Sequence, residues 1–183
     1  MNLTSSAKVL GAALLFIAGG CSVLPERMPP AALHDLGPVR AKEARIPVNS
    51  ISVAAPEWLA SDRIYYRLSY ADPTRVLFYN QDRWLAPPAE LLMQYLKLDV
   101  KKGIALKITL LNFEQIFDQP SSARVFVRVR VSLLSAQRGE AAHEQEFVFT
   151  HPCTQSNAKG AVAAYSALVP MIQQVIQGWL DPL

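Results

Sequence analysis

Apolar and polar positions alternate most regularly in two segments. Ile104, Leu106, Ile108 and Leu110 interleave with Ala105, Lys107 and Thr109, and Val125, Val127, Val129, Val131 and Leu133 lie opposite Phe126, Arg128, Arg130 and Ser132. A period of two over such lengths predicts long antiparallel strands with one face on the core and the other wet. Shorter strands are predicted over 46–54, stopped by Pro56, and over 64–70, where aromatic and branched residues dominate. Ala71-Asp72-Pro73-Thr74 is turn chemistry, so 75–79 returns as the partner of a hairpin. A polar turn containing Gly139 fills 135–143, and 144–150 forms a further strand with Phe147 and Phe149 on one side. A short first strand fits 32–36, ended by Gly37-Pro38.

Two segments carry the helical period instead. Pro87-Pro88 opens a helix through about Leu98, with Leu91, Leu92, Tyr95 and Leu96 on its apolar face, and Gly103 breaks the pattern. From Ala158 to Leu180 the residues Val162, Tyr165, Leu168, Val169, Ile172, Ile176 and Trp179 recur at three- and four-residue steps. Pro170 is expected to kink this helix or divide it. The order β-β-β-helix-β-β-β-helix predicts an α+β domain: one mostly antiparallel β-sheet packed by two helices on one face.

The first twenty residues have a different pattern. A polar start carrying Lys8 precedes an apolar run from Val9 to Ala18, then Ala18-Gly19-Gly20 and Cys21. The run is too short for the ~20 residues that span a bilayer and suits the apolar core of a signal peptide. The junction resembles the lipobox of bacterial lipoproteins. That resemblance implies a diacylglycerol thioether on Cys21, cleavage ahead of it and acylation of the new amine. Several chains, at ~0.8 kcal/mol per buried methylene, hold a protein permanently where one would not. Ser22 stands where aspartate would be an inner-membrane retention signal, so the resemblance favours the outer membrane. The expected organisation is a signal peptide over 1–20, a lipidated cysteine and Pro-rich tether over 21–45, and a periplasmic domain over 46–183, or from near 32 if the short first strand belongs to it.

Composition narrows the chemistry. Of 183 residues 51% are hydrophobic and 18% charged, so the mature part should fold as one domain. The net charge is +3 without a basic cluster, which argues against nucleic acid. Only Cys21 and Cys153 occur, so acylation of one leaves the other without a disulfide partner. His151-Pro152-Cys153 invites a Cys/His nucleophile, but a partly buried thiol at a strand end is the simpler account. His34, His143 and His151 lack metal-ligand spacing, and no catalytic Ser motif, phosphate loop or dinucleotide fingerprint occurs. The expectation is a non-enzyme with no metal and no cofactor beyond the acyl groups on Cys21.

Residues 56–92 carry a pattern of their own: Pro56 and Leu59, Tyr66-Arg67, Tyr79, then Arg83-Trp84 followed by Pro87-Pro88. With 111–118 (LNFEQIFD) and the closing Trp179-Leu180, it resembles the ABC-type transport auxiliary lipoprotein component family (PqiC-like) over about residues 32–181. The resemblance implies an accessory lipoprotein of an intermembrane lipid transport system, docking an MCE-domain protein and served indirectly by an inner-membrane permease and ATPase. It also singles out Arg83 and Trp84 as a candidate partner-facing pair, the competing account being Trp84 covering the sheet edge and Arg83 paired with a carboxylate. Phe126, Arg128 and Arg130 line the second face of a long strand, which is either a plain solvated face or a second candidate partner-binding set, for an MCE subunit or another copy of this chain. A reading of another class is a carrier that itself holds an acyl chain between the last helix and the sheet.

Overall fold

The computed structural model describes residues 29–38, 51–101, 104–135 and 141–183. The expected signal peptide, Cys21, most of the tether and the start of the predicted strand at 46 lie outside them. In chain order the elements are β1 (Ala32–His34), β2 (Ile51–Ala54), a 3-10 turn (Glu57–Leu59), β3 (Arg63–Leu68), β4 (Val76–Trp84), α1 (Pro88–Tyr95), β5 (Ile104–Gln119), β6 (Ser122–Ser135), β7 (Ala141–Pro152) and α2 (Ala158–Leu180).

The strands form a single seven-stranded sheet in the order β1-β4-β3-β5-β6-β7, with β2 beside the first half of β5 and β3 beside its second half. The long pairings, β5 with β6 and β6 with β7, are antiparallel, as the alternation predicts. The three short pairings β1–β4, β2–β5 and β3–β5 are parallel, so the sheet is mixed although mostly antiparallel. Such pairings join segments distant in sequence, and a strand's own pattern does not name its neighbour.

β5 runs nine residues past Leu110, where its regular alternation stops. The cause is a bulge between Leu110 and Asn112, where Leu111 is the extra residue. Core-facing side chains change there from Leu106, Ile108 and Leu110 to Phe113, Gln115 and Phe117. A phase change hides the second half of a strand from a period-two reading. β4 likewise continues beyond Tyr79, because polar Asp82 and Arg83 meet β1 at the sheet edge.

The core gathers Val125, Val127, Val129 and Val131 of β6, Leu106 and Ile108 of β5, Leu91 and Leu92 of α1, and Leu168, Ile172 and Ile176 of α2, each at most 1% exposed. α1 stops at Tyr95 rather than Leu98. The next backbone donors are taken by α2: Lys97 N–H donates to Gln173 Oε1 at 3.1 Å and Asp99 N–H to Gln177 Oε1 at 2.8 Å. α2 begins with Asn157 as a cap, its Oδ1 accepting from Gly160 N–H at 2.9 Å. Pro170 does not divide α2. It sits on the exposed side while Leu168, Val169 and Ile172 around it are buried, so packing holds the helix through the proline.

Candidate docking surface

Trp84 is 1% exposed and meets Phe113 and Tyr165 edge-on at 5.8 and 5.5 Å, while those two rings stack at 4.0 Å. It is therefore neither a partner-facing residue nor a cover for the sheet edge, and the candidate site expected at Arg83-Trp84 is corrected to exclude it. The extended backbone of β4 sends the two neighbours to opposite faces. Arg83 stays at the surface, where its Nη1 donates to Asp62 Oδ1 at 3.1 Å.

Both helices contribute to the core on one face of the sheet, leaving the other face to polar and aromatic side chains. On β6 this outer face carries Arg124, Phe126, Arg128, Arg130 and Ser132. Arg124 pairs with Asp118 at 2.9 Å, and Arg130 with Glu146 at 2.7 Å and Glu144 at 3.5 Å. Arg128 is exposed, and no ion pair holds it among the described residues. It lies opposite Asn112 on one side and Val148, 58% exposed, on the other. Half-buried Phe126 lies between Glu114 and Thr150. The structure thus brings Phe126, Arg128 and Arg130 onto one wet sheet face, and sets Trp84 apart from them.

Sequence pattern alone did not reveal how this face continues across β3 and β4. Tyr65 pairs in register with Phe78, Trp58 leans edge-on against Tyr65 at 6.3 Å, and the Arg63 guanidinium lies 4.1 Å from the centre of the Phe78 ring. Arg67 is held there by Glu114, Nη2 to Oε2 at 3.0 Å, and also donates to the Pro73 carbonyl at 2.7 Å. Glu114 is 5% exposed and takes a further bond from Asn112 Nδ2 at 3.3 Å. The missed signal was the density of Trp, Tyr, Phe and Arg in residues 58–83, types enriched at interface hot spots.

On the core side, Gln115 is fully buried. Its Oε1 accepts from Tyr79 Oη at 2.7 Å, and its Nε2 donates to the Asn157 carbonyl at 3.3 Å and to Cys153 Sγ at 3.4 Å. Burial pushes the Cys153 thiol up from its ordinary value, an effect opposed by the Gln115 bond. A thiol so held stays protonated and is a poor nucleophile. His151 turns its Nδ1 to the Pro152 carbonyl at 3.0 Å.

Among the described residues no group of three or more His, Cys, Asp or Glu is placed to hold a metal ion. The seam between α2 and the sheet, where a carrier would hold an acyl chain, is filled by Leu168, Ile172 and Ile176 against the β6 valines. Hollows open at the surface instead. One of about 300 Å³ lies between β1 and α2, lined by residues including His34, Asp35 and Ser166, and one of about 130 Å³ lies by the end of α2 at Leu133 and Leu180.

No family model matches the chain, and no curated protein does. Its fold is shared with solved structures. Protein XCC0632 from Xanthomonas campestris, described as family DUF330, aligns with a TM-score of 0.62 at 16% identity, covering 85% of this chain and 88% of that one. A protein described only as uncharacterized aligns with a TM-score of 0.59 at 12% identity, over 84% of this chain and all of the other. Similarity at these identities defines a fold class: a mixed, mostly antiparallel sheet with two helices. A putative lipoprotein from Caulobacter crescentus reaches a TM-score of only 0.28, at 18% identity over 45% of this chain and 74% of that one, which is too low to bear on this fold.

The resemblance to the ABC-type transport auxiliary lipoprotein component family is overturned by these findings, since the structural neighbour carries a different family designation, DUF330, and no family model supports it. The physical reason lies in the residues that carried it. Leu59 and Trp84 fill the core, and Pro87-Pro88 starts a helix, so packing alone accounts for that pattern.

Proposed function

We propose that this chain is a periplasmic lipoprotein anchored to the outer membrane through Cys21, whose domain is a non-enzymatic docking module. The finer part of the proposal makes it an accessory of an MCE/ABC-type intermembrane lipid transport system, with an MCE-domain subunit as the partner. The observation that carries the docking role is the outer sheet face, left uncovered by both helices and presenting Phe126 and Arg128 beside exposed Val148. A fully packed helix–sheet seam favours docking over the alternative, a carrier that holds an acyl chain there. The lipobox-like junction at Cys21 supports the anchor, and no helix among the described residues is long and apolar enough to cross a membrane.

The test uses the full chain expressed in a Gram-negative envelope with a tagged MCE-domain subunit. Mass spectrometry of the mature amino terminus should find a triacylated Cys21, and density fractionation should place the protein with the outer membrane. The wild type should retain the MCE-domain subunit, and Arg128→Glu with Phe126→Ala should lose retention at least tenfold while the circular dichroism spectrum is unchanged. Equal retention by the double variant would remove the docking face, and no retention by the wild type would remove the transport role.

A further inference from the structure

The exposed apolar side chains are unevenly spread. Eleven large hydrophobic residues are exposed among the described residues, and Leu33, Trp58, Tyr70, Val76, Phe78 and Leu85 fall on β1, on β4, just after β4 and on the segments flanking β3. Trp58 (48% exposed), Tyr70 (47%), Val76 (43%) and Phe78 (36%) belong to the β3–β4 hairpin and the turn leading into it. Two contacts link Trp58 to Phe78 through Tyr65: Trp58 against Tyr65, and Tyr65 in register with Phe78. Among the described residues the hairpin also has an uncovered side, because β1 pairs with β4 only from Asp82 to Trp84 and leaves Val76 and Phe78 beyond its reach.

The start of the described chain says what lies near this corner. Pro29 stands three residues before β1, which is held on β4. Only eight residue steps separate Pro29 from Cys21, a reach of at most about 29 Å when fully extended. β7 lies four strands from β4, about 19 Å further across the sheet. An acyl group on Cys21 therefore keeps the β1–β4 edge within reach of the bilayer surface. Exposed Trp and Tyr belong where one end of a side chain is apolar and the other wet, as at a lipid headgroup layer.

We infer that the β3–β4 hairpin, with Trp58, Tyr70, Val76 and Phe78, rests on the lipid surface and sets the domain's orientation on its tether. Arg63, lying on the Phe78 ring, supplies a cation beside this patch for a lipid phosphate. The same face continues onto β6 and β7, three and four strands further across the sheet, about 14 to 19 Å from this contact, which leaves it available to a partner. This inference rests on the acylation of Cys21 proposed above, and the experiment separates the two.

The full lipidated chain is reconstituted in vesicles of phosphatidylethanolamine and phosphatidylglycerol whose acyl chains are brominated, a quencher confined to the lipid. The chain holds three tryptophans, of which Trp84 is in the core, so the Trp58 contribution is the wild-type emission less that of Trp58→Phe. Most of that contribution should be lost in brominated vesicles. It should return in a Val76→Asp, Phe78→Asp variant that still floats with the lipid, and Val148→Trp in a Trp58→Phe background should stay bright. Trp58 that is bright and open to iodide would overturn the inference while leaving the anchor standing. Bright but shielded from iodide, it would be covered by protein, such as a second copy, and the inference would also fall. A chain that does not float and carries an unmodified Cys21 would sink the anchor and this inference together.

Discussion

Glu114 shows how one ionised side chain is tolerated in a nearly closed position. It lies on the outer face, opposite Phe126, yet is 5% exposed and is held by Arg67 and Asn112. Removing one member of a buried pair leaves the other charge without compensation, which costs more than the pair contributes when intact. Arg67→Met should therefore lower stability by about 3 kcal/mol in urea unfolding. Arg128→Ala, on the same face and without an ion pair among the described residues, should stay within about 0.5 kcal/mol of wild type. Equal losses would mean that the face is not divided into a structural and an available part.

At the scale of elements, the entry into α2 is the tightest joint. Gly160 sits in its first turn, where a Cβ would come 1.9 Å from the Gln155 carbonyl oxygen. In an open helix, exchanging Gly for Ala would stabilise by up to ~1 kcal/mol. Here Gly160→Ala should destabilise by about 2 kcal/mol, because backbone rather than a movable side chain must give way. Gly178, with nothing near its Cβ position, is the control, and Gly178→Ala should raise the melting temperature. The same joint brings Asn157 to Gln115, so a displaced turn should also expose Cys153 to alkylation.

For the molecule as a whole, burial of weak acids sets a limit at high pH. Desolvation raises Cys153 and the phenols of Tyr79 and Tyr165 above their ordinary values of 9.0 and 10.0. The folded state keeps these protons longer than the unfolded chain, so their contribution to stability is fully present below pH 9 and is lost as pH rises through the folded values. The urea midpoint should hold between pH 7 and 8.5, then fall steeply above pH 10, with Tyr79→Phe flattening part of the slope. A midpoint independent of pH up to 11 would refute the assignment of these groups as buried acids.

How far the sequence carried the fold differs by element. The period-two valines of β6 and the three-and-four spacing of α2 are local signals, set by which side chains must leave water, and they hold whatever the neighbours are. They determined the α+β class, the two helices, the hairpin at 71–74 and the face on which Phe126, Arg128 and Arg130 lie. Tertiary structure alone decided that β3 and β2 share one edge of β5, that Leu111 bulges and carries β5 onward, and that Trp84 turns inward while Arg83 does not. Those outcomes depend on partners distant in the chain: Phe113 and Tyr165 enclosing an indole, or Gln173 and Gln177 of α2 taking the amides that end α1. A side chain's own polarity fixes how strongly it avoids water, whereas its place is settled by what the folded chain brings up against it.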